Sequence, residues 1–460
     1  MVWSAWNPVA CIRRSALALG ICLAGSGCGG APDAPRHLVL ISADTLRADH
    51  LGSYGHTLDL TPALDALADQ STRFERAYAT APFTLPSVAS LHTGRHPEEL
   101  GIRSNLGRLP DDVGTLAEAF RARGFGTAAA VGNFVLRPIT GLDRGFDLYD
   151  ARFPQRERGR DVPERVAGPT TDAALAAVDT LRERGAERIF LWVHYQDPHG
   201  PYTPPSGLRE RYLEAERDAP GGRTLLGLQP GGGGVIPPYQ RIGDEREVAF
   251  YRAGYDGEIA YMDAEIGRLF EALRSRGLLQ ESAVVFTADH GEALGERGYW
   301  FAHGERLDEA ALRIPLLLRI PGEPMRARFE IASLVDLAPT LAELFGLELR
   351  GLRGRDLRDR DAPESGAYFV TTRKASSAER AGLARDEYLY VRSEGDAPEE
   401  ELFLLPDERR NLAAARPRAL QQLRDHLAAR RAELEPRAPL PARTPDPDEL
   451  EALRALGYGD

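Results

Sequence analysis

Lysine is almost absent: Lys374 is the single one in 460 residues, and the remaining positive side-chain charge is arginine. Any cation that holds an anionic substrate is therefore Arg, His or a metal, not an ammonium group. Cysteine is scarce too. Cys11, Cys22 and Cys28 are the only ones, and all precede residue 30. No disulfide is available to the folded part, so cysteine usage leaves its redox compartment open. The apolar stretch SALALGICLAGSG is too short to span a bilayer. A basic stripe is missing as well, and a formal charge of −12 argues against nucleic-acid binding. What remains is an ordinary globular composition, 43% hydrophobic and 27% charged. The length suits one large domain or two to three smaller ones.

Arg13 and Arg14 precede the apolar stretch, in the order of a secretory leader. LAGSGC followed by GGAPDAP resembles a bacterial lipoprotein signal in which Cys28 is lipidated after cleavage, although Gly25 departs from the usual pattern. The expectation is an exported protein of the bacterial cell envelope, periplasmic or membrane-anchored. Residues 1–28 would be the signal and 29–36 a flexible leader, with membrane contact only through a lipid at Cys28.

HLVLISAD (37–44), RIFLWVHY (188–195) and SAVVFTAD (282–289) are continuous apolar runs, the pattern of buried parallel strands. Between them, TPALDALADQS, GTLAEAFRARG and TTDAALAAVDTLRERG have helical spacing, and a long helix over REVAFYRAGYDGEIAYMDAEIGRLFEALRSRG stops at Gly277. Strands alternating with helices predict an α/β fold with a mostly parallel sheet covered on both faces. The Pro- and Gly-rich residues 203–245 read as a long surface loop, and Phe74 to Ala79 as one strand. The expected boundaries are 37–346 for the main domain, 347–435 for a C-terminal subdomain, and 436–460 for a Pro-rich tail with a short helix. GAYFVTTR, EYLYVRS and ELFLLPDE read as antiparallel strands of that subdomain, followed by the helix RALQQLRDHLAARRAEL.

Acidic and imidazole side chains stand at three strand exits: Asp44 after the first, Asp197 and His199 after the second, Asp289 and His290 after the third, with His303 further on. In open α/β sheets the ligand crevice lies at these carboxyl ends. Mixed carboxylate and imidazole donors suit zinc or manganese. Thr84, in FTLPSV, admits two roles. It can cap a helix that begins at Pro86, at a cost of about 1 kcal/mol when changed to alanine. It can also be a metal-activated nucleophile, since a helix N-terminus favours an anion.

VLISADTLRADHLGSYG, TLPSVASLHTGR, VHYQDPHGPYTPP, VVFTADHGE, LRIPLLLRIPG, SLVDLAPTLAELFG and ELFLLPDERRNL, taken in order, resemble the sulfatase branch of the alkaline phosphatase superfamily over roughly residues 37–415. That resemblance implies an alkaline-phosphatase-like fold, a central mixed sheet flanked by helices with a smaller C-terminal α+β subdomain. The departures bear on chemistry. Family sulfatases carry Cys or Ser followed by x-Pro-x-Arg and oxidise the first residue to formylglycine. Here Thr84 and Val88 occupy those positions, and threonine cannot yield that aldehyde. Asp44–Thr45 and Asp289–His290 stand where the family usually has paired Asp and Asp–Asn.

These replacements resemble the phosphate-ester members of the superfamily. The resemblance then implies one metal site from Asp44, Thr84, Asp289 and His290, with zinc or manganese favoured and calcium possible. It also implies substrate-flanking roles for His199 and His303, and an amide at Asn105 for a phosphoryl oxygen. Asp197 could complete a second metal site. The expected activity is metal-dependent hydrolysis of small or polymeric anionic esters, phosphoester before sulfate, through a covalent Thr84 intermediate. A phosphoethanolamine- or phosphoglycerol-type transferase and a non-catalytic anion-binding lipoprotein are the alternatives.

Overall fold

The three apolar runs pair with one another. In the computed structural model, which describes residues 35–156, 163–228, 234–361, 366–372, 379–395 and 398–438, the strand His37–Ala43 lies between Ile189–Tyr195 and Ser282–Ala288, parallel to both. Every residue of these three strands is buried, as expected of strands covered on both faces. They form the middle of an eight-stranded sheet. Gly126–Val131 and Leu148–Asp150 extend it in parallel beyond Ile189–Tyr195. Leu316–Arg319 joins Ser282–Ala288 in antiparallel fashion and makes the sheet mixed. The helices Ala167–Glu183 and Val248–Ser275 pack together over it, and Gly277 follows the latter with φ +74°.

Three local expectations are corrected. The run Phe74–Ala79 is two short strands, Thr72–Phe74 and Ala77–Tyr78, in different sheets, because the chain turns at Glu75–Arg76. The segment 203–245 contains the helix Leu208–Asp218, whose one fully buried residue is Tyr212. So narrow an apolar face leaves little periodic signal among Pro- and Gly-rich flanks. The helix expected from Pro86 begins at Thr84 instead and runs to Thr93, closed by Gly94 at φ +65°.

The C-terminal sheet is antiparallel, in the order Ala367–Thr372, Glu379–Arg385, Tyr388–Ser393, Glu400–Leu404. Alternation divides its side chains: Phe369, Leu389 and Phe403 enter the main core, while Tyr368, Leu383, Tyr390 and Leu402 pack under Leu423 and Leu427 of the helix Pro417–Glu433. Strand Glu379–Arg385 was not anticipated. Its mid-strand Gly382 breaks the apolar pattern, and a Cβ there would lie 2.4 Å from the Phe369 ring. The leader with Cys28 and residues 439–460 of the tail lie outside the described residues.

Candidate active site

Register decides which side chains meet. Ala43 is level with Tyr195 on one side and Ala288 on the other, so Asp44 and Asp289 leave neighbouring strands side by side. Their backbones stay tied: Asp289 N donates to Ala43 O (3.1 Å) and Asp44 N to Tyr195 O (3.0 Å). Thr45 then takes a left-handed turn (φ +58°), and its N–H donates to Asp289 Oδ1 at 3.1 Å. The His290 N–H donates to the same oxygen at 2.6 Å. Asp289 Oδ2 is thereby left facing inward, without a partner.

His290 is oriented by its other nitrogen. Nδ1–H donates to Gly291 O (2.9 Å), which presents Nε2 3.7 Å from Asp289 Oδ2 and 3.9 Å from Asp44 Oδ1. This is how protein histidines are held when Nε2 is a metal ligand. Asp44 Oδ1, Asp289 Oδ2 and His290 Nε2 are all buried, and none makes a hydrogen bond. Orphaned buried polar atoms that converge are costly unless something binds between them. A divalent cation fits this donor set.

Two residues that sequence reasoning passed over complete the wall. His194 lies level with Ser42, one pleat below Asp44, with Nε2 3.9 Å from Asp44 Oδ2. Ligand atoms of Asp44, His194 and Asp289 all fall within 4.8 Å of one another. Trp192 Nε1–H donates to Ser42 Oγ (3.0 Å), and Ser42 Oγ is 2.8 Å from His194 Nδ1. The arrangement that satisfies all three groups sends the serine proton to Nδ1 and puts the imidazole proton on Nε2. In that tautomer Nε2–H points toward Asp44 Oδ2 from 3.9 Å, without a hydrogen bond, and has no lone pair to offer a metal. His194→Gln should therefore keep its bound metal and lose turnover, whereas His290→Gln should lose both. Elemental analysis beside steady-state kinetics checks the split. Asn133 is the second: its amide donates to Asp44 Oδ2, and its Oδ1 accepts from Val135 N (2.6 Å). The signal for His194 was its position as the next-to-last residue of a buried strand. Asn133 follows a Gly and carried none.

Burial raises the Asp44 carboxyl pKa, opposed by His199 and His290. Burial likewise raises Asp289 to about 6, reinforced by the charge on Asp44. His194 is held down to about 4, chiefly by burial, and is neutral near pH 7.

Thr84 is buried at the first turn of its helix, and Phe83 occupies the N-cap position. The hydroxyl accepts no backbone N–H and has no partner at all. The cap reading of Thr84 is thus replaced by a free hydroxyl at a helix N-terminus. Asn105 closes the same end: its Oδ1 accepts Leu85 N–H (2.8 Å), and its amide nitrogen is buried without a partner. The Phe83 ring packs on Gly304 (φ +96°), where a Cβ would come within 2.6 Å. That contact brings His303 alongside. The His303 ring is 4.5 Å from His290 and 5.4 Å from His199, and its Nδ1 is 3.1 Å from Glu292 Oε1. Burial lifts the Glu292 carboxyl to about 8. His199 Nδ1 is 2.8 Å from Gly200 O. Asp197 does not join these groups. It is buried toward Glu258 and the backbone of Ala167. Arg47, also close by, is held by Asp49 and Glu296.

The family model for Sulfatase matches residues 36–347. The chain belongs to the sulfatase family. Choline-sulfatase of Rhizobium meliloti (strain 1021) is 28% identical over 329 residues, 64% of this chain and 64% of that protein. Arylsulfatase A of Bos taurus is 30% identical over 352 residues, covering 70% and 66%. The match therefore spans about two thirds of the length of these relatives. In fold, the chain is similar to the phosphonate monoester hydrolase SpPMH from Silicibacter pomeroyi, with a TM-score of 0.70 at 21% identity over 87% of this chain and 96% of that one. Within this sulfatase-family chain, Val88 in place of the motif arginine is buried in the core, and the nucleophile position holds Thr84.

Proposed function

We propose that this sulfatase-family protein is an exported, divalent-metal-dependent hydrolase of anionic esters, phosphoester in preference to sulfate, with Thr84 as its nucleophile. The observation that carries it is the buried, unpartnered Thr84 hydroxyl at a helix N-terminus, next to an amide donor on Asn105. The curated relatives bear sulfatase names, which supports ester hydrolysis. Thr84 cannot become formylglycine, and this favours the phosphoester side.

Asp44, Asp289 and His290 would hold the cation, with Thr84 Oγ1 as a further donor; the imidazole favours zinc or manganese over calcium. When bound there, such a cation makes a neighbouring hydroxyl more acidic and withdraws charge from an ester oxygen. Thr84 gives its hydroxyl proton to solvent and its Oγ attacks the phosphorus in line, and the phosphorus–oxygen bond to the leaving alcohol breaks as the bond to Thr84 forms. The Asn105 amide and the helix N-terminus hold non-bridging oxygens as charge develops. His303, steadied by Glu292, or His199 gives the leaving oxygen its proton. Water, giving a proton to the imidazole that protonated the leaving group, then attacks phospho-Thr84; the threonine ester breaks, Thr84 regains its proton, and phosphate leaves, or a phosphate monoester when the substrate is a diester.

Assay of one purified preparation on an aryl phosphate, an aryl phosphodiester and an aryl sulfate, with zinc, manganese or calcium added, tests this reading. Fastest turnover is expected on a phosphoester with zinc or manganese. Turnover on the sulfate alone would overturn the preference. For the lipid anchor, labelled palmitate should enter the wild-type protein and be absent from Cys28→Ala, and an unlipidated mature protein would remove the anchor.

A further inference from the structure

A second set of metal-type ligands lies outside the catalytic group. His50 and His56, in the segment that follows the first strand, meet Asp256 of the helix Val248–Ser275. His50 Nδ1 is 2.8 Å from Asp256 Oδ1, and the two imidazoles stack with centroids 4.9 Å apart at 22°. His56 Nδ1 is 3.1 Å from Asp49 O, so its proton goes to that carbonyl and Nε2 keeps the lone pair. His56 Nε2 is buried without a hydrogen bond, and so is Oδ2 of the fully buried Asp256. An unpartnered carboxylate oxygen beside an unpartnered imidazole nitrogen is an expensive arrangement unless a cation joins them.

We infer that His50, His56 and Asp256 form a second divalent-cation site of zinc type, separate from Asp44, Asp289 and His290. One ligand atom from each residue can be chosen so that all lie within 4.8 Å of one another. Two donors on one zinc ion lie at most about 4.4 Å apart, given bonds of roughly 2.0–2.2 Å, so a small rotation of the half-buried imidazoles closes the set. Burial, together with the Asp256 charge, raises the carboxyl pKa of the half-buried Glu216 on the adjoining helix Leu208–Asp218. The nearby Arg252 guanidinium donates to the carbonyls of Pro220 (3.1 Å) and Leu294 (3.2 Å), so it does not neutralise them by direct pairing. Among the described residues, the one other such cluster, Asp44, His194 and Asp289, belongs to the candidate active site.

The site has a structural consequence. Tyr255, one residue before Asp256, donates to Thr45 O (2.7 Å) and accepts from Arg47 N (3.1 Å). A cation on Asp256 and the two histidines would fasten the same helix turn to the far end of the segment that begins at Asp44.

Cobalt(II) titration of chelator-treated full-length protein tests this, with Asp289→Asn as the background that weakens the catalytic group. Asp289→Asn is expected to bind one equivalent with the absorption of nitrogen and oxygen ligands, and to gain thermal stability from it. Asp289→Asn/His56→Gln should lose that equivalent and the metal-dependent rise in melting temperature, while keeping its circular dichroism. His56 is half-buried, so folding should survive the change; Asp289→Asn/His50→Gln serves as the second variant. Equal cobalt binding by the single and double variants, or none by folded Asp289→Asn, would overturn the site.

Discussion

Thr84→Ala is expected to remove turnover by roughly 10⁴-fold or more while leaving the fold intact, since in the proposed mechanism its hydroxyl forms the covalent ester. Stability should change by less than about 1 kcal/mol, because the hydroxyl makes no hydrogen bond and its removal strands no partner. That separates the nucleophile from a helix cap, for which stability falls and activity per folded molecule survives. Thr84→Ser should retain part of the activity, as its hydroxyl occupies the same helix turn. Thr84→Cys should not mature to formylglycine, because Val88 replaces the motif arginine. Brief exposure of wild type to a phosphoester, acid quench and peptide mass spectrometry should place phosphate on Thr84. An active Thr84→Ala enzyme would return the residue to a structural role.

The sheet was legible because its central strands are buried on both faces and so read as unbroken apolar runs. The carboxylates at their ends were legible for the same reason: Asp44 and Asp289 each interrupt such a run where the strand stops. What escaped depends on register and on tertiary neighbours. His194 looks like one more residue of an apolar strand until Ser42 is found level with it. Asn133 gains its meaning only from Asp44, 89 positions away in sequence. The helix start was misplaced because Pro86 is a strong local signal for a first turn, yet the Phe83 backbone adopts the extended cap conformation (φ −140°, ψ 141°). Leu208–Asp218 was hidden by its composition. Most of its residues are charged and only Tyr212 is fully buried, so the long helix beside it supplies most of the packing.

His290→Asn is expected to move the metal preference from zinc or manganese toward calcium and to lower zinc affinity by at least about 100-fold. His290 would supply the nitrogen donor, Nε2, which the bond from Nδ1–H to Gly291 O holds in place. With asparagine there, the proposed donors would become Asp44 Oδ1, Asp289 Oδ2, the Thr84 hydroxyl and an amide oxygen, a set composed of oxygen alone. Calcium accepts six to eight such ligands in loose geometry, whereas zinc loses its preferred nitrogen. Folding should persist, because the Asp289 Oδ1 bonds from the backbone N–H groups of Thr45 and residue 290 need no imidazole. Competition between zinc and calcium, read by elemental analysis after dialysis against both, should show wild type holding zinc and the variant shifting toward calcium. Phosphoesterase activity of the variant with zinc should fall with its occupancy and recover in part when zinc is raised. Unchanged metal preference, or calcium alone in the wild type, would mean that His290 stands beside the cation without binding it.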